Sequence, residues 1–195
     1  MRLIDITRTV QAAPIYSGSS PVEIVQVSAI NRGDAYNSSV ITTGAHMGTH
    51  ADALCHFIEG STPIGEMPLE QYIGPCRVLT VPENALLPAT AFAGRLEGCE
   101  RLVLHGGGES YLTREAAEYI AACGVVTVVT DAWSVAPLDN EAEIHRILLG
   151  AKIAVVENVI LDGVADGDYL IFCPPIKYAG CDGAPVRAVL VAVDD

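Results

Sequence analysis

The chain has 195 residues, half of them apolar, which is enough for one domain with a substantial core. Its formal net charge of -13 has the wrong sign for a surface that binds phosphate backbones, which argues against a nucleic-acid partner. No apolar run is long enough for a membrane-spanning helix and no signal-peptide core stands at the start, so we expect a single cytoplasmic domain over 1–195 without membrane contact.

The first part of the chain is predicted to be mostly β-strand. Residues 2–7 form a short strand, and residues 22–27 alternate polar with apolar side chains, which is the period of a strand. Pro, Gly and Ser residues predict a loop over 13–21. Residues 39–43 are rich in β-branched side chains and lead into a cluster of His residues, which we therefore expect at a strand end.

The second part combines short strands with one clear helix. Thr113 precedes a helical segment over 114–120, and Gly124 stops it. Strands outnumber helices, so we expect a β-rich α/β domain with a mixed sheet or barrel flanked by few helices. The predicted strands of this part are 77–81, 101–104, 125–129, 153–156 and 186–193.

The six cysteines are scattered and form no Cys-x-x-Cys pair. Local spacing therefore provides neither a zinc knuckle nor a thioredoxin-like redox motif. A secreted disulfide scaffold is normally shorter and denser in Cys. We expect most of these residues to be reduced thiols in the core.

A polar cluster gathers three of the five His residues and one Asp within eleven positions. Its members are His46, His50, Asp52 and His56. All four positions are even, so an extended chain would point these side chains to one face. A fully extended strand would separate residues 46 and 50 by roughly 13 Å, too far to share an ion, so the chain must fold back there. Gly48 supplies the freedom for that turn, and Gly48 with β-branched Thr49 disfavours a regular helix, so we predict a kinked strand or loop.

The cluster has the composition of a metal site. His50 and Asp52 lie about 7 Å apart along a strand, within reach of one ion, and the second oxygen of Asp52 can bridge to another. Imidazole and carboxylate together suit zinc, manganese or iron, whereas Cys55 falls on the opposite face. Taken singly, each His would be more ordinary as a satisfied polar residue in a turn, and Asp52 as a turn or cap residue. Their clustering favours metal binding.

The cluster and several later segments form one extended pattern. The cluster itself reads His46-x-Gly48-Thr49-His50-x-Asp52-Ala53-x-x-His56-Phe57, and later segments are Ile64–Leu69, Ile73–Pro75, Asp131-x-x-Ser134-Val135 and Cys181–Arg187. This pattern resembles the cyclase family that includes bacterial kynurenine formamidase and isatin hydrolase. The resemblance spans nearly the whole chain, and the His signature is its most specific part.

The resemblance implies a fold, an assembly and a ligand set. The family has a β-rich swivelling β/β/α domain, usually in a homodimer or larger homo-oligomer. It implies that His46, His50 and Asp52 hold one divalent metal, and that Asp52 and Glu157 bridge to a second, held also by His145. Zinc is the first expectation and manganese the second, with up to two ions per chain. Independently of the family resemblance, Glu157 at the end of an apolar strand is expected to need a partner, because a buried carboxylate without one costs free energy.

The resemblance also implies a reaction, in which His56 is the acid/base. Two divalent ions lower the pKa of a bridging water to near neutrality and polarise a carbonyl oxygen. His56 would pass the proton to the leaving nitrogen or oxygen. We therefore expect hydrolysis of a small amide, formamide, cyclic amide or lactone, with N-formylkynurenine as the first candidate substrate.

The sequence departs from the kynurenine formamidases where they contact substrate. Those enzymes carry a Trp-Pro-Gly-Asp turn, and this chain has Tyr16-Ser17-Gly18-Ser19. We expect Tyr16 to bind substrate by stacking more weakly, which leaves the identity of the substrate open. Trp133 is expected to line the pocket, the core or an interface, and His105 to be structural or at the surface.

Two other functions compete with hydrolysis. His50, Asp52 and His145 can be interpreted as the two-His, one-carboxylate triad of an iron oxygenase, although that leaves the other candidate ligands unused. A non-catalytic metal-binding or ligand-binding module is the third hypothesis, because a fold does not fix function.

Overall fold

A computed structural model describes residues 1–14 and 21–192. Within these ranges the chain forms thirteen β-strands and two α-helices, which confirms the prediction of a β-rich α/β domain. The strands are β1 (Arg2–Asp5), β2 (Glu23–Ser28), β3 (Ser38–Thr42), β4 (His50–Asp52), β5 (Ile73–Thr80), β6 (Leu86–Leu87), β7 (Arg101–His105), β8 (Tyr111–Leu112), β9 (Thr127–Thr130), β10 (Ala154–Glu157), β11 (Gly167–Phe172), β12 (Gly183–Pro185) and β13 (Val189–Ala192). The helices are α1 (Arg114–Ala122) and α2 (Glu141–Gly150).

Nine strands form one mixed sheet in the order β1-β13-β11-β5-β7-β9-β10-β4-β12. The central strands β5, β7, β9 and β10 run parallel, and the strands on either side are antiparallel to their neighbours. Every residue of β9 and β10 is buried. Because parallel strands are covered on both faces, they appear in the sequence as continuous apolar runs, and this is why these strands were predictable.

The sheet curls into a half-barrel. β12 and β13 stand near opposite ends of the strand order, yet the chain passes from Pro185 to Val189 between them. Four peptide steps span at most about 14 Å, so the two ends of the sheet lie close together. A backbone bridge between Thr7 and Val159 also links the two sides. The predicted strand 186–193 is confirmed over Val189–Ala192 as β13, and its start is wrong because residues 186–188 cross from β12 to β13.

The predicted helix is confirmed as α1. The side chain of Thr113 caps it by accepting a hydrogen bond from the backbone N–H of Ala116, at 3.3 Å. Gly124 follows its end with a φ of +80°, a backbone conformation that glycine adopts without steric cost. Ala116, Ala117 and Ile120 bury one face of the helix.

Helix α2 and strand β11 were not predicted from the sequence. The residue before α2, Asn140, caps no backbone N–H of the described helix with its side chain, so the helix start carries a weak signal. The buried face of α2 also includes a polar residue, His145, which interrupts the apolar pattern. Strand β11 begins with Gly167 and Asp168, two residue types that are depleted in strands.

The cysteines match the expectation of reduced thiols. All six lie within the described ranges and are free, and Cys76, Cys99 and Cys173 are buried. Among the described residues, no helix combines the length and the apolar character needed to cross a membrane.

Candidate metal centre

Strand β4 carries the middle of the site. It lies between β10 and β12, and its three residues are buried. Glu157 of β10 is paired with His50 in the sheet register. Alternate residues of a strand and directly paired residues of neighbouring strands share a face, so His50, Asp52 and Glu157 point to the same side. Nε2 of His50 lies 3.3 Å from Oε2 of Glu157 and 3.5 Å from Oδ1 of Asp52.

A turn at Gly48 brings His46 to this group. Gly48 has a φ of +71°, and a Cβ atom there would lie 3.1 Å from the Cα atom of Val10. His46 lies in the turn, and its ring centroid is 5.1 Å from that of His50. Its Nδ1 atom is 2.8 Å from Oδ1 of Asp52. The predicted reversal of the chain at Gly48 is confirmed.

Helix α2 contributes His145 from across the site. Its Nδ1–H donates a 2.8 Å hydrogen bond to the backbone oxygen of Glu141, one turn earlier in the helix. This bond directs Nε2 toward the carboxylates, at 3.2 Å from Oε1 of Glu157 and 3.4 Å from Oδ2 of Asp52. The ring also stacks on Phe57, with centroids 4.5 Å apart. The hydrogen bond at Nδ1 and the stacking on Phe57 therefore fix the orientation of the His145 ring.

The other four residues predicted to bind metal surround Asp52. Two groups of three residues each bring one ligand atom per residue within 4.8 Å of the others. These groups are His46, Asp52 and His56, and His50, Asp52 and Glu157. The resemblance implied that His50 shares a metal with His46, whereas here the imidazole of His50 also faces Glu157. The division of the ligands between two ions stays a prediction.

The residues present fit a divalent cation. Oδ2 of Asp52 is buried and makes no hydrogen bond to any residue that the structure describes. A buried carboxylate oxygen without such a partner costs free energy, and a cation would compensate for that cost. Imidazole nitrogen and carboxylate oxygen are ligands that zinc, manganese and iron share. The donor set and the buried Oδ2 atom, which Nε2 of His145 approaches at 3.4 Å without forming a hydrogen bond, together indicate a cation site.

The cluster also has strongly shifted proton affinities. Burial lowers the pKa of His46, but hydrogen bonds to Asp52 and Asp182 and their negative charges outweigh it and raise that pKa to about 9. Burial also lowers the pKa of His145, but polar contacts with Asp52 and Glu157 and their negative charges outweigh it and raise this pKa well above its usual value. Burial raises the pKa of Asp52, but polar contacts with His145 and His46 outweigh burial and hold this pKa well below its usual range. Without a cation, protons on the imidazoles balance the carboxylates.

This protonation predicts how the stability of the metal-free protein depends on pH. A histidine with a raised folded pKa stabilises the fold below its unfolded pKa, and this contribution is lost as the pH rises through the folded pKa, about 9 for His46. The melting temperature of chelator-treated protein should therefore fall between about pH 6.5 and pH 9. Zinc-loaded protein should not show this fall, because cations replace the protons.

Thermal melting of both forms across this pH range measures the effect. The control is His46→Gln, which should flatten the slope of the metal-free protein. A melting temperature of the metal-free protein that stays level or rises over this range would contradict the assignment of these protons.

His56 lies at the more exposed side of the cluster. It ends a short 3-10 turn, Leu54–His56, and its side chain is 27% exposed whereas that of His50 is 4% exposed. Its ring stacks on His46 with centroids 4.0 Å apart. Its Nδ1 atom lies 3.3 Å from Oδ2 of Asp182. Burial lowers the pKa of His56, and the charges of neighbouring histidines add to this effect.

Of the remaining predicted residues, Trp133 and His105 lie in the described part of the chain. Tyr16 lies outside the described residues. Trp133 donates an Nε1–H hydrogen bond to the hydroxyl of Tyr111, and His105 ends β7 and belongs to neither donor group of the described chain. The sequence analysis gave no role to Asp182, although its segment is part of the extended pattern. Its position directly before Gly183 in that segment was the available signal.

Comparison with known proteins identifies the family. The Cyclase family model matches residues 4–137, well over half of the chain. The chain belongs to the Cyclase family. The matched part of this Cyclase family member contains His46, His50, Asp52 and His56, and it ends before α2.

Solved structures share the fold over its whole length. A protein described as a potential metal-dependent hydrolase with cyclase activity is 22% identical, with a TM-score of 0.86 over 100% of this chain and 99% of its own. A predicted metal-dependent hydrolase from Bacillus stearothermophilus is 24% identical, with a TM-score of 0.82 over 97% of both chains. Isatin hydrolase A from Labrenzia aggregata, bound to benzyl benzoate, is 19% identical, with a TM-score of 0.84 over 98% of this chain and 94% of its own. These similarities establish the Cyclase family fold.

Proposed function

We propose that this Cyclase family protein is a metal-dependent hydrolase that opens a small amide, formamide, cyclic amide or lactone. The observation that carries the proposal is the buried cluster of imidazoles and carboxylates around Asp52, whose Oδ2 atom lacks a hydrogen-bond partner among the described residues. The structural relatives described as metal-dependent hydrolases and isatin hydrolase support the same reaction class.

The metal complement follows from the donor set. His46, His50, Asp52, His145 and Glu157 would hold the cations, with zinc the first candidate and manganese the second. Asp52 belongs to both groups of donor atoms, which supports a bridging role and up to two ions per chain. Bound divalent cations would lower the pKa of a coordinated water and polarise a substrate carbonyl.

The protein side chain that moves the proton in this proposal is His56. Its lowered pKa keeps the imidazole neutral at neutral pH, so it can both accept and return a proton. Its Nδ1–H faces the carboxylate of Asp182, which leaves Nε2 free for transfer to the leaving nitrogen or oxygen. Stacking against His46 and the edge of Phe57 fixes the ring plane. His56 is also exposed enough for a substrate to reach it.

The substrate is proposed at the level of chemical class. An N-formyl aryl amine such as N-formylkynurenine is the first candidate, and a cyclic amide or lactone is the second. The structural similarity to isatin hydrolase A supports the second class. Tyr16 is proposed to contact the aromatic part of the substrate, and its loop belongs to the residues that the structure leaves undescribed.

A combined metal and substrate analysis tests the proposed function. Protein purified without chelator should contain up to two divalent ions per chain, and it should hydrolyse formyl-anilides, cyclic amides or lactones after zinc or manganese is added. Protein without transition metal that stays inert after both additions would contradict the hydrolase. Iron together with oxygen-dependent turnover would instead support an oxygenase.

We also propose that the protein assembles as a homodimer or larger homo-oligomer. Strands β2 and β3 pair only with each other among the described strands. Their apolar side chains Ile24, Val25, Val27, Val40 and Ile41 are between 45% and 63% exposed. A single two-stranded hairpin is marginally stable in water, and an exposed apolar patch indicates an interaction surface. A second copy of the chain is the partner that the family resemblance implies.

Sedimentation analysis tests the assembly. The protein should be at least dimeric at micromolar concentration, and Ile41→Lys should shift it toward monomer because a charge would be buried in the interface. Leu86→Lys, which places the same charge on a similarly exposed apolar residue outside β2 and β3, is the matched control. A monomeric native protein would rule out the proposed assembly.

A further inference from the structure

Asp182 places one carboxylate oxygen between two histidines of the candidate site. Its Oδ2 atom lies 2.9 Å from Nε2 of His46 and 3.3 Å from Nδ1 of His56. The two imidazole rings stack with an interplanar angle of 24°. The other oxygen, Oδ1, accepts a hydrogen bond from the thiol of Cys181, with Sγ and Oδ1 3.5 Å apart. Both oxygens of this half-exposed carboxylate are therefore engaged by neighbouring side chains.

The backbone holds Asp182 in this position. Its carbonyl oxygen accepts a 2.9 Å hydrogen bond from the N–H of Ala53, and Gly183 pairs with Asp52 across β12 and β4. A Cβ atom on Gly183 would lie 2.5 Å from Cε1 and 2.9 Å from Nε2 of His46. Glycine at 183 is thus required for the His46 ring to reach the carboxylate. The sheet therefore fixes the backbone of Asp182 beside the two histidines.

The histidines of the cluster differ in the nitrogen that they present. His50 and His145 use Nδ1 in hydrogen bonds to the backbone oxygens of Gly48 and Glu141, which directs Nε2 to the carboxylates. His46 is reversed, because its Nδ1 faces Asp52. Its Nε2–H therefore needs another acceptor, and among the described residues Asp182 provides it.

We propose that Asp182 is a positioning residue that fixes the tautomers of His46 and His56 together. A carboxylate only accepts hydrogen bonds, so a proton must stand on Nε2 of His46, and the negative charge 3.3 Å from Nδ1 of His56 favours the tautomer with its proton on that nitrogen. A cation that displaced the proton between Nδ1 of His46 and Asp52 would then bind this nitrogen, and Nε2 of His56 would be the atom available for proton transfer. A carboxylate behind a metal-binding histidine also raises the basicity of that histidine. The inference rests on the proposed metal centre.

Zinc binding and NMR of the full-length protein test this role. We expect Asp182→Ala to weaken zinc affinity about 10- to 100-fold in competition with a chelator. Asp182→Asn should restore part of the loss, because its amide oxygen accepts the hydrogen bond without the charge. Long-range ¹H–¹⁵N spectra of the zinc-loaded native protein should show His46 protonated at Nε2 and His56 at Nδ1. In Asp182→Ala the His56 ring should lose this single tautomer.

The controls separate this inference from the proposed hydrolase. Asp162→Asn removes an exposed carboxylate elsewhere and should leave zinc affinity and both tautomers unchanged. Zinc affinity and ring tautomers need no substrate, so they test Asp182 even if no hydrolysis is found. Zinc affinity within twofold of the native value in Asp182→Ala, with unchanged tautomers, would overturn the inference and leave the hydrolase standing. With a substrate in hand, the Asp182→Asn defect should appear in kcat more than in KM.

Discussion

His50→Ala and Asp52→Ala are expected to lose bound metal and hydrolytic activity together. Both side chains are buried, and Asp52 is the residue that the two donor groups share. Each substitution removes a proposed direct ligand, so the loss of metal affinity should exceed the roughly 100-fold that removal of a hydrogen-bonding neighbour of a ligand costs. Asp52→Ala should be the more severe, because it also leaves His46 and His145 without their shared carboxylate.

Elemental analysis after dialysis, with turnover measured on the same samples, checks this result. His105→Ala is the matched control, because that histidine belongs to neither donor group of the described chain, and it should retain both metal and activity. Metal binding also contributes to the stability of the fold, so zinc should raise the melting temperature of the control and not of His50→Ala. Native metal content in His50→Ala would exclude His50 as a ligand.

His56→Ala is expected to keep the metals and to lose turnover. A positioned proton donor contributes roughly 10²- to 10⁴-fold to rate, so kcat should fall by that amount with metal content unchanged. The lowered pKa of His56 places its titration on the acidic side of the pH–rate profile, where protonation removes the base, and this limb should flatten in the variant. The defect should be smaller for a nitrophenyl ester than for an amide, because that leaving group needs no protonation.

The structure makes the alternative outcome specific. His56 shares one of the donor groups with His46 and Asp52, so its ring is also close enough to bind an ion. If His56→Ala strips metal as thoroughly as His50→Ala, His56 is a ligand and the proton must come from another source. Metal content and kcat measured on the same preparation separate the two roles.

Sequence by itself determined the local half of the site. His46, His50 and Asp52 are within a few residues of one another, so the strand period and the freedom of Gly48 were sufficient to predict a shared face and a reversal of the chain. The apolar runs of β7, β9 and β10 likewise predicted strands, because parallel strands buried on both faces need continuous apolar sequence. The approach of His145 and Glu157 was expected only through the family resemblance.

Tertiary structure decided the rest. Glu157 reaches His50 through the pairing of β10 with β4, His145 reaches both carboxylates from a helix that the sequence pattern did not reveal, and Asp182 arrives with β12. Apart from the contact of His145 with Glu157, these contacts join residues about ninety or more positions apart, and residue spacing limits distances only between near neighbours in the chain. The register of the curled sheet sets them. The predicted strand 186–193 is shortened to Val189–Ala192 within the described residues, because the chain leaves β12 at Pro185 and joins β13 only at Val189. Sheet register depends on long-range packing, so a local pattern predicts the ligands of one strand and the folded sheet completes the site.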